Sequence, residues 1–273
     1  MMKYTVHFVK PPTSFDDVAG LEEIKTTLRH IASSTNLSIK KTELDSKSIS
    51  PSILLYGPSR TGKSLLTAAM AKECEAQFTS IDCYQLLFGC SAWSNLSNTD
   101  KVKFLFSDAE KNAPSIIFFE GVDTFSSNSP YLESAFNQLL KEFDKPRSGV
   151  MIIGSATKQE EIPWGLFRRF SYKLEVTLPD EVARKEIIKI HLINYGAHPE
   201  EPKLVEIEDV TAVVEALAKI TEGSSGEEIK DVCQRALLHA IGEFFEHHEK
   251  IILKLLNFEI ALEEIKQERK NRL

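Results

Sequence analysis

The sequence predicts an α/β protein: a five-stranded parallel sheet between helices, followed by a small all-helical domain. Three observations predict it. From Ser52 to Val176, short apolar runs alternate with helical stretches, as in a parallel sheet covered by helices. Gly57-Pro58-Ser59-Arg60-Thr61-Gly62-Lys63-Ser64 has complete GxxxxGKS spacing between an apolar run and an amphipathic stretch. Beyond Leu178-Pro179-Asp180 the composition changes and the remaining stretches read as helices, with no convincing core strand.

Taken in order, residues 1–14 are a short lead containing Pro11-Pro12, expected to be extended. Leu21, Ile24, Leu28 and Ile31 recur at helical spacing, predicting a helix from Leu21 to Ala32. The polar stretch Ser33 to Ser50 reads as a loop. Predicted strands are Ser52–Tyr56, Phe78–Asp82, Ser115–Phe119, Val150–Ser155 and Lys173–Val176, with helices at Lys63–Cys74, Asp100–Asn112 and Tyr131–Phe143. Glu181–Tyr195, Val210–Thr221, Gly226–Phe245 and Phe258–Glu268 read as helices, with no core strand among them. The predicted division is a lead over 1–14, an α/β domain over 15–178 and a helical domain over 179–273.

Composition bounds the function. The 273 residues carry a formal charge of -7, which argues against a nucleic-acid surface. Cys74, Cys83, Cys90 and Cys233 form no CxxC pair, so neither a zinc site nor a disulfide framework is suggested. They read as reduced thiols. No basic segment followed by an apolar core opens the chain, and runs such as Ile116–Phe119 are too short to span a bilayer. The expectation is a cytoplasmic or nuclear protein.

The glycine-rich segment carries the chemistry. Gly57 and Gly62 permit backbone conformations that aim several N–H groups at one anion. The following helix adds the positive end of its dipole. Lys63 is placed to reach the β- and γ-phosphates of a nucleotide, and the Ser64 hydroxyl to ligate Mg²⁺. The predicted binding stretch is Gly57, Pro58, Ser59, Arg60, Thr61, Gly62, Lys63, Ser64 and Leu65. Arg60 stands where glycine is easier, which predicts a strained or remodelled loop.

Several motifs in order extend this reading. Phe15-Asp16-Asp17-Val18-Ala19-Gly20-Leu21-Glu22-Glu23, Ser52–Ser64, Leu178-Pro179-Asp180-Glu181-Val182-Ala183-Arg184 with Ile188-Lys189-Ile190-His191, Thr221-Glu222-Gly223-Ser224-Ser225-Gly226-Glu227-Glu228-Ile229 and Asn257-Phe258-Glu259-Ile260-Ala261-Leu262 together resemble the AAA family of ring-forming ATPases. The resemblance covers nearly everything from Phe15 to Glu268. It implies the P-loop NTPase fold with a helical lid, ATP and Mg²⁺ as cofactors, and ATP at the crevice between the two. It also implies a hexameric ring, of one chain or of several, acting on a protein substrate or adaptor. Val18 and Ala19 would touch adenine, His191 would lie near ribose and base, and Gly226 would admit the nucleotide. For His191 the ordinary alternative is a partly buried structural histidine.

Two positions depart from the family. An Asp-Glu pair usually follows the strand at Ser115–Phe119; here Glu120 and Gly121 follow. Glu120 keeps a carboxylate for the metal shell, whereas Gly121 has no side chain to act as base. Asp123 matches a further family acid. The family's sensor Asn is Lys158 here. Its ammonium either stabilises the triphosphate or turns to solvent, and it accepts no hydrogen bond from water. Arg168 and Arg169 are retained, and the resemblance implies that they act in a neighbouring subunit's site. The pore segment Leu86-Leu87-Phe88-Gly89-Cys90-Ser91-Ala92-Trp93-Ser94 reads as longer than usual. Either Phe88 with Gly89 or Trp93 would grip a polypeptide, or the aromatics pack into the core.

The expectation is an ATP-binding module with weak or absent hydrolysis. The alternatives are an active protein-remodelling ATPase using Glu120 or Asp123, and a scaffold that has lost nucleotide.

Overall fold

The computed structural model describes residues 6–40, 51–88, 96–126, 130–147, 149–196, 205–247 and 251–271. They form two compact units: residues 22–177 with the chain up to Val18, and residues from Leu178 onward with Ala19–Leu21.

In the first unit, β1 (Ser52–Tyr56), β2 (Gln77–Asp82), β3 (Ser115–Glu120), β4 (Val150–Ala156) and β5 (Tyr172–Glu175) form one sheet in the order β2-β3-β4-β1-β5. Every pairing is parallel. The inner strands are apolar along their length because helices cover both faces. Ile53, Leu54 and Leu55 of β1 are fully buried, as are Ile117 and Phe118 of β3. The connections are α2 (Lys63–Glu73), α3 (Cys83–Phe88), α4 (Asn98–Lys111), α5 (Pro130–Asp144) and α6 (Trp164–Phe167). Phe106, Phe119, Leu139, Leu166 and Phe170 belong to one core cluster against the sheet. The lead pairs with the sheet edge: Val9 and Phe78 exchange backbone hydrogen bonds of 2.9 and 2.8 Å.

The first helix, α1, runs Glu22–Lys40 and does not stop at Ala32. The expected loop begins with serines that stay helical, because Ser33 and Ser34 donate back to the carbonyls of Arg29 and His30, each at 2.9 Å. Such back-bonding satisfies a hydroxyl within the helix. Residues 41–50 of that expected loop lie outside the described residues.

The second unit contains α7 (Glu181–Gly196), α8 (Val210–Ile220), α9 (Gly226–His247) and α10 (Leu255–Asn271). It also contains two short strands, β6 (Val205–Ile207) and β7 (Ile251–Leu253), paired in parallel. This corrects the expectation of helices alone. Three-residue strands give too short a run to stand out by periodicity, yet Leu253 is fully buried in the helical core. Caps fix the helix starts. Asp209 accepts from the Ala212 N–H at 3.0 Å. Ser225 and Glu228 form a reciprocal box, with the Ser225 N–H on the Glu228 carboxylate at 2.8 Å and the Glu228 N–H on the Ser225 hydroxyl at 3.3 Å. Among the described residues, no helix is long and apolar enough to cross a membrane.

Candidate nucleotide site

The predicted phosphate loop leaves the C-terminal end of β1, an inner strand, and feeds directly into α2. Its shape rests on backbone. Gly57 has φ 143°, and a Cβ there would stand 2.1 Å from the Val176 carbonyl oxygen. No side chain fits. Arg60 has φ 65°, so the residue in the glycine-like position is held in the left-handed region, at a cost of about 1–3 kcal/mol. Thr61 is buried and donates to the Pro58 carbonyl at 2.9 Å. Gly62 (φ 98°) is the N-cap of α2 and offers no side-chain cap. No N-cap side chain therefore satisfies the first N–H groups of that helix, an arrangement suited to an anion.

Lys63 folds back over the loop, donating to the carbonyls of Gly57 at 2.8 Å and Pro58 at 2.6 Å. Burial lowers its pKa, against the opposing pull of the Asp123 carboxylate. Ser64 and Leu65 are exposed. This donor set fits a triphosphate: one ammonium, an uncapped helix start and a free hydroxyl for one metal position. Among the described residues, no cluster of three or more acidic, histidine or cysteine side chains stands ready to hold a metal by itself. A divalent ion there would need nucleotide oxygens to complete its shell, as Mg²⁺ sites commonly do.

The acidic residues lie two strands away, beyond β4. Glu120 ends β3 and accepts from the Ser80 hydroxyl on neighbouring β2 at 2.5 Å. Gly121 takes φ 72°, and a Cβ there would meet only Thr124 Oγ1 at 3.5 Å and Asp123 Oδ1 at 3.6 Å. Space for a side chain exists, but the backbone sits in the glycine-favoured region. Asp123 lies in the short 3₁₀ turn Val122–Ser126 and accepts from the Thr157 N–H at 3.3 Å. Lys158 is exposed and bonds to Glu161 at 2.8 Å, a contact that raises its pKa. Beside the loop, a cleft of about 800 Å³ is walled by Gly57, Pro58 and Lys158, with Trp164 and Phe167 also lining it.

The two arginines that follow α6 differ. Arg169 is tied to Asp144, whereas Arg168 is exposed. Phe88 is exposed and its ring packs 5.0 Å from that of Tyr84, itself exposed, so Phe88 is no core residue. Gly89 and Trp93, the other expected gripping residues, lie outside the described residues.

In the first unit Val18 is buried and its carbonyl accepts from Lys25 Nζ at 2.8 Å. In the second unit, Ala19 is half-buried. His191 is half-buried there too, and its pKa is lowered by burial and by Lys230. Gly226 is the first residue of α9 and lies close to Ile187.

The sequence reading missed Ser80, Asp144, Thr157 and the Val176 carbonyl. Each acts through a partner distant in sequence, and no local pattern marks it.

Comparison with known proteins adds three results. Residues 53–178 match the family described as "ATPase family associated with various cellular activities (AAA)". The proteasome-activating nucleotidase of Methanopyrus kandleri is 33% identical over 248 residues, covering 85% of this chain and 53% of that protein. That of Methanocaldococcus jannaschii is 32% identical over 276 residues, covering 96% and 59%. The chain thus spans little more than half the length of these curated relatives. Among solved structures, the crystal structure of the FIGL-1 AAA domain superposes with a TM-score of 0.73 at 25% identity, covering 95% of this chain and 84% of that one. The same domain in complex with ADP gives 0.72 at 24% identity, covering 94% and 85%.

Proposed function

Because the chain belongs to the AAA family, through an AAA domain akin to those of proteasome-activating nucleotidases, we propose that it is an ATP-binding module of a ring-forming, protein-remodelling assembly. In this reading it holds ATP with Mg²⁺, cleaves it slowly or not at all, and lends an arginine to a neighbouring subunit. The observation that carries the reading is Gly121, which has no side chain where the family places its base, in a chain whose Gly57–Ser64 loop keeps the complete GxxxxGKS spacing.

Binding follows from the loop's chemistry. An incoming triphosphate competes with the Gly57 and Pro58 carbonyls for Lys63 and takes the N–H groups at the start of α2. Charge-assisted bonds to phosphate oxygens are stronger than bonds to neutral carbonyls. Mg²⁺, when bound, neutralises phosphate charge. Ser64 and Glu120 are the residues proposed to meet it. Val18, Ala19, His191 and Gly226 are proposed as further nucleotide contacts on the resemblance alone.

Hydrolysis needs a group that accepts a proton from water. The neighbouring candidates are already engaged: Glu120 by Ser80, Asp123 by the Thr157 N–H, and Lys158, a cation, by Glu161. These contacts weigh against the alternative of an active ATPase using Glu120 or Asp123. Loss of a positioned general base lowers rate by about 10²–10⁴-fold.

Calorimetric titration with Mg²⁺-ATP, paired with phosphate-release kinetics on the same preparation, tests the reading. Saturable binding without steady release supports it. Lys63-dependent turnover at the rate of an ordinary ATPase refutes it, and absence of binding refutes it in favour of a scaffold.

A further inference from the structure

The turn that ends the lead is gripped by three cations. Phe15–Asp17 forms one 3₁₀ turn, opened by Ser14, whose N–H and hydroxyl both donate to the Asp17 carboxylate at 2.7 Å. Arg29 of α1 donates to Asp16 at 3.2 Å and lies over the Phe15 ring. Lys72, in the last turn of α2, donates to the Pro12 carbonyl. Lys25 of α1 donates to the Val18 carbonyl at 2.8 Å and pairs with Glu22 at 2.5 Å.

Lys25 is unlike the other two. The Arg29 side chain is 41% exposed and Lys72 is exposed, whereas Lys25 is only 6% exposed. A buried ammonium is costly unless it is paired and hydrogen-bonded. A methionine of similar length would fill the same space without a charge. What the charge supplies is a direction. The peptide joining Val18 to Ala19 is trans, so its C=O and N–H lie in one plane and point opposite ways. With the carbonyl drawn to Lys25, the Ala19 N–H is turned away from the ammonium. Its neighbours are taken. The Asp17 N–H donates to the Ser14 carbonyl at 3.1 Å, that of Val18 to the Phe15 carbonyl at 3.2 Å and that of Gly20 to Glu186 at 3.0 Å. The Ala19 N–H has no partner among the described residues. Half-buried donors are ordinarily satisfied, so this one is open to an acceptor from outside the chain.

We infer that Lys25 is a positioning residue that sets the base preference of the site: by holding the Val18 carbonyl it presents the Ala19 N–H to the nucleotide base, and so favours adenine over guanine. Adenine carries a lone pair at N1, which accepts from that N–H. Guanine carries N1–H at the same place, a second donor facing the first. The inference rests on the nucleotide-holding reading above and adds to it a side chain that acts only through the backbone.

Competition calorimetry on the full chain tests it, comparing the Mg²⁺ complexes of ATP, GTP and inorganic triphosphate, with Tm measured for each variant. The wild type is expected to prefer ATP to GTP by about tenfold or more. Lys25→Met is expected to lose most of that preference while inorganic triphosphate binds as before. Lys25→Arg, which returns a charged donor, is expected to recover part of it. Equal loss of affinity for all three ligands in Lys25→Met is the mark of a merely structural lysine and overturns the inference. So does a preference that survives Lys25→Met, and so does a wild type that binds GTP as tightly as ATP. Failure of the wild type to bind either ATP or inorganic triphosphate refutes instead the nucleotide-holding reading. Where Lys25→Met fails to fold, 1-deaza-ATP with the wild type decides, because a C–H replaces its N1. It is expected to bind about as weakly as GTP, and binding equal to that of ATP overturns the inference.

Discussion

The ends of β1 and β3, separated in the sheet by β4, make opposite use of their residues. After β1 the site is built from backbone: glycine dihedrals, a helix start and one lysine that already contacts the loop. After β3 the proposed chemistry depends on side chains, and Gly121, at the position proposed for the base, has none. On the proposed reading, the contrast teaches that gripping a triphosphate and attacking it are separable. A backbone cradle is lost only when the chain path changes. A general base is lost with one residue.

Four tests, one of them with a matched control, break or sharpen this contrast. The largest effect is expected at Gly57→Ala, because a Cβ would stand 2.1 Å from a carbonyl oxygen that β1–β5 pairing holds in place. Overpacking together with a strained dihedral is expected to cost about 3 kcal/mol or more and to abolish ATP binding. Denaturant titration and calorimetry measure both. Gly121→Ala is the matched control, since its Cβ meets nothing closer than 3.5 Å; only the left-handed backbone is penalised, by about 1–2 kcal/mol. Equal destabilisation by the two changes would remove the distinction between the strand ends.

Next, Lys63→Ala removes a charged donor from the phosphates and is expected to weaken ATP affinity by about 1.5–3 kcal/mol, roughly 10- to 100-fold. Fold stability should change little, which equilibrium unfolding checks. Third, Gly121→Glu supplies the missing carboxylate. Its φ of 72° strains any side-chain-bearing residue, and Lys158 still stands at the position proposed for the sensor. Turnover is expected to rise by about tenfold at most, well short of the ~10²–10⁴ of a well-placed base. A thousandfold gain would mean that Gly121 is the sole obstacle.

The smallest effect concerns pH. His191 has a lowered pKa because burial favours its neutral form. Below its ordinary value of 6.5 the unfolded chain binds the extra proton, so stability is expected to fall as pH drops through that value toward the lower folded pKa. His191→Gln should flatten this slope in denaturant titrations from neutral to mildly acidic pH. An unchanged slope would assign the acid sensitivity to other groups.

Legibility in the sequence followed distance along the chain. The three inner sheet strands announced themselves because burial on both faces leaves continuous apolar runs, as at Ile53–Leu55 and Ile116–Phe119. The phosphate loop was equally plain, since its elements lie within eight consecutive residues, and Arg60 does take the positive φ that its position suggested. The pairing of β6 with β7 was hidden because three residues carry too little pattern. The extension of α1 was hidden because serines that look like loop residues satisfy themselves inside a helix. Glu120 and Gly121 were assigned by position along the chain, but the contacts of Ser80 with Glu120 and of Asp144 with Arg169 arise only when neighbouring strands and helices assemble. Those contacts separate two arginines that the sequence presents as equivalent.

The central claim is that this chain keeps ATP whole. The most direct measurement incubates it with an equimolar amount of γ-labelled ATP and Mg²⁺, then identifies the protein-bound nucleotide over time. The account predicts that intact ATP remains bound, with no more ADP than a Lys63→Ala sample produces. Stoichiometric conversion to ADP that depends on Lys63, before bound ATP exchanges, would contradict it.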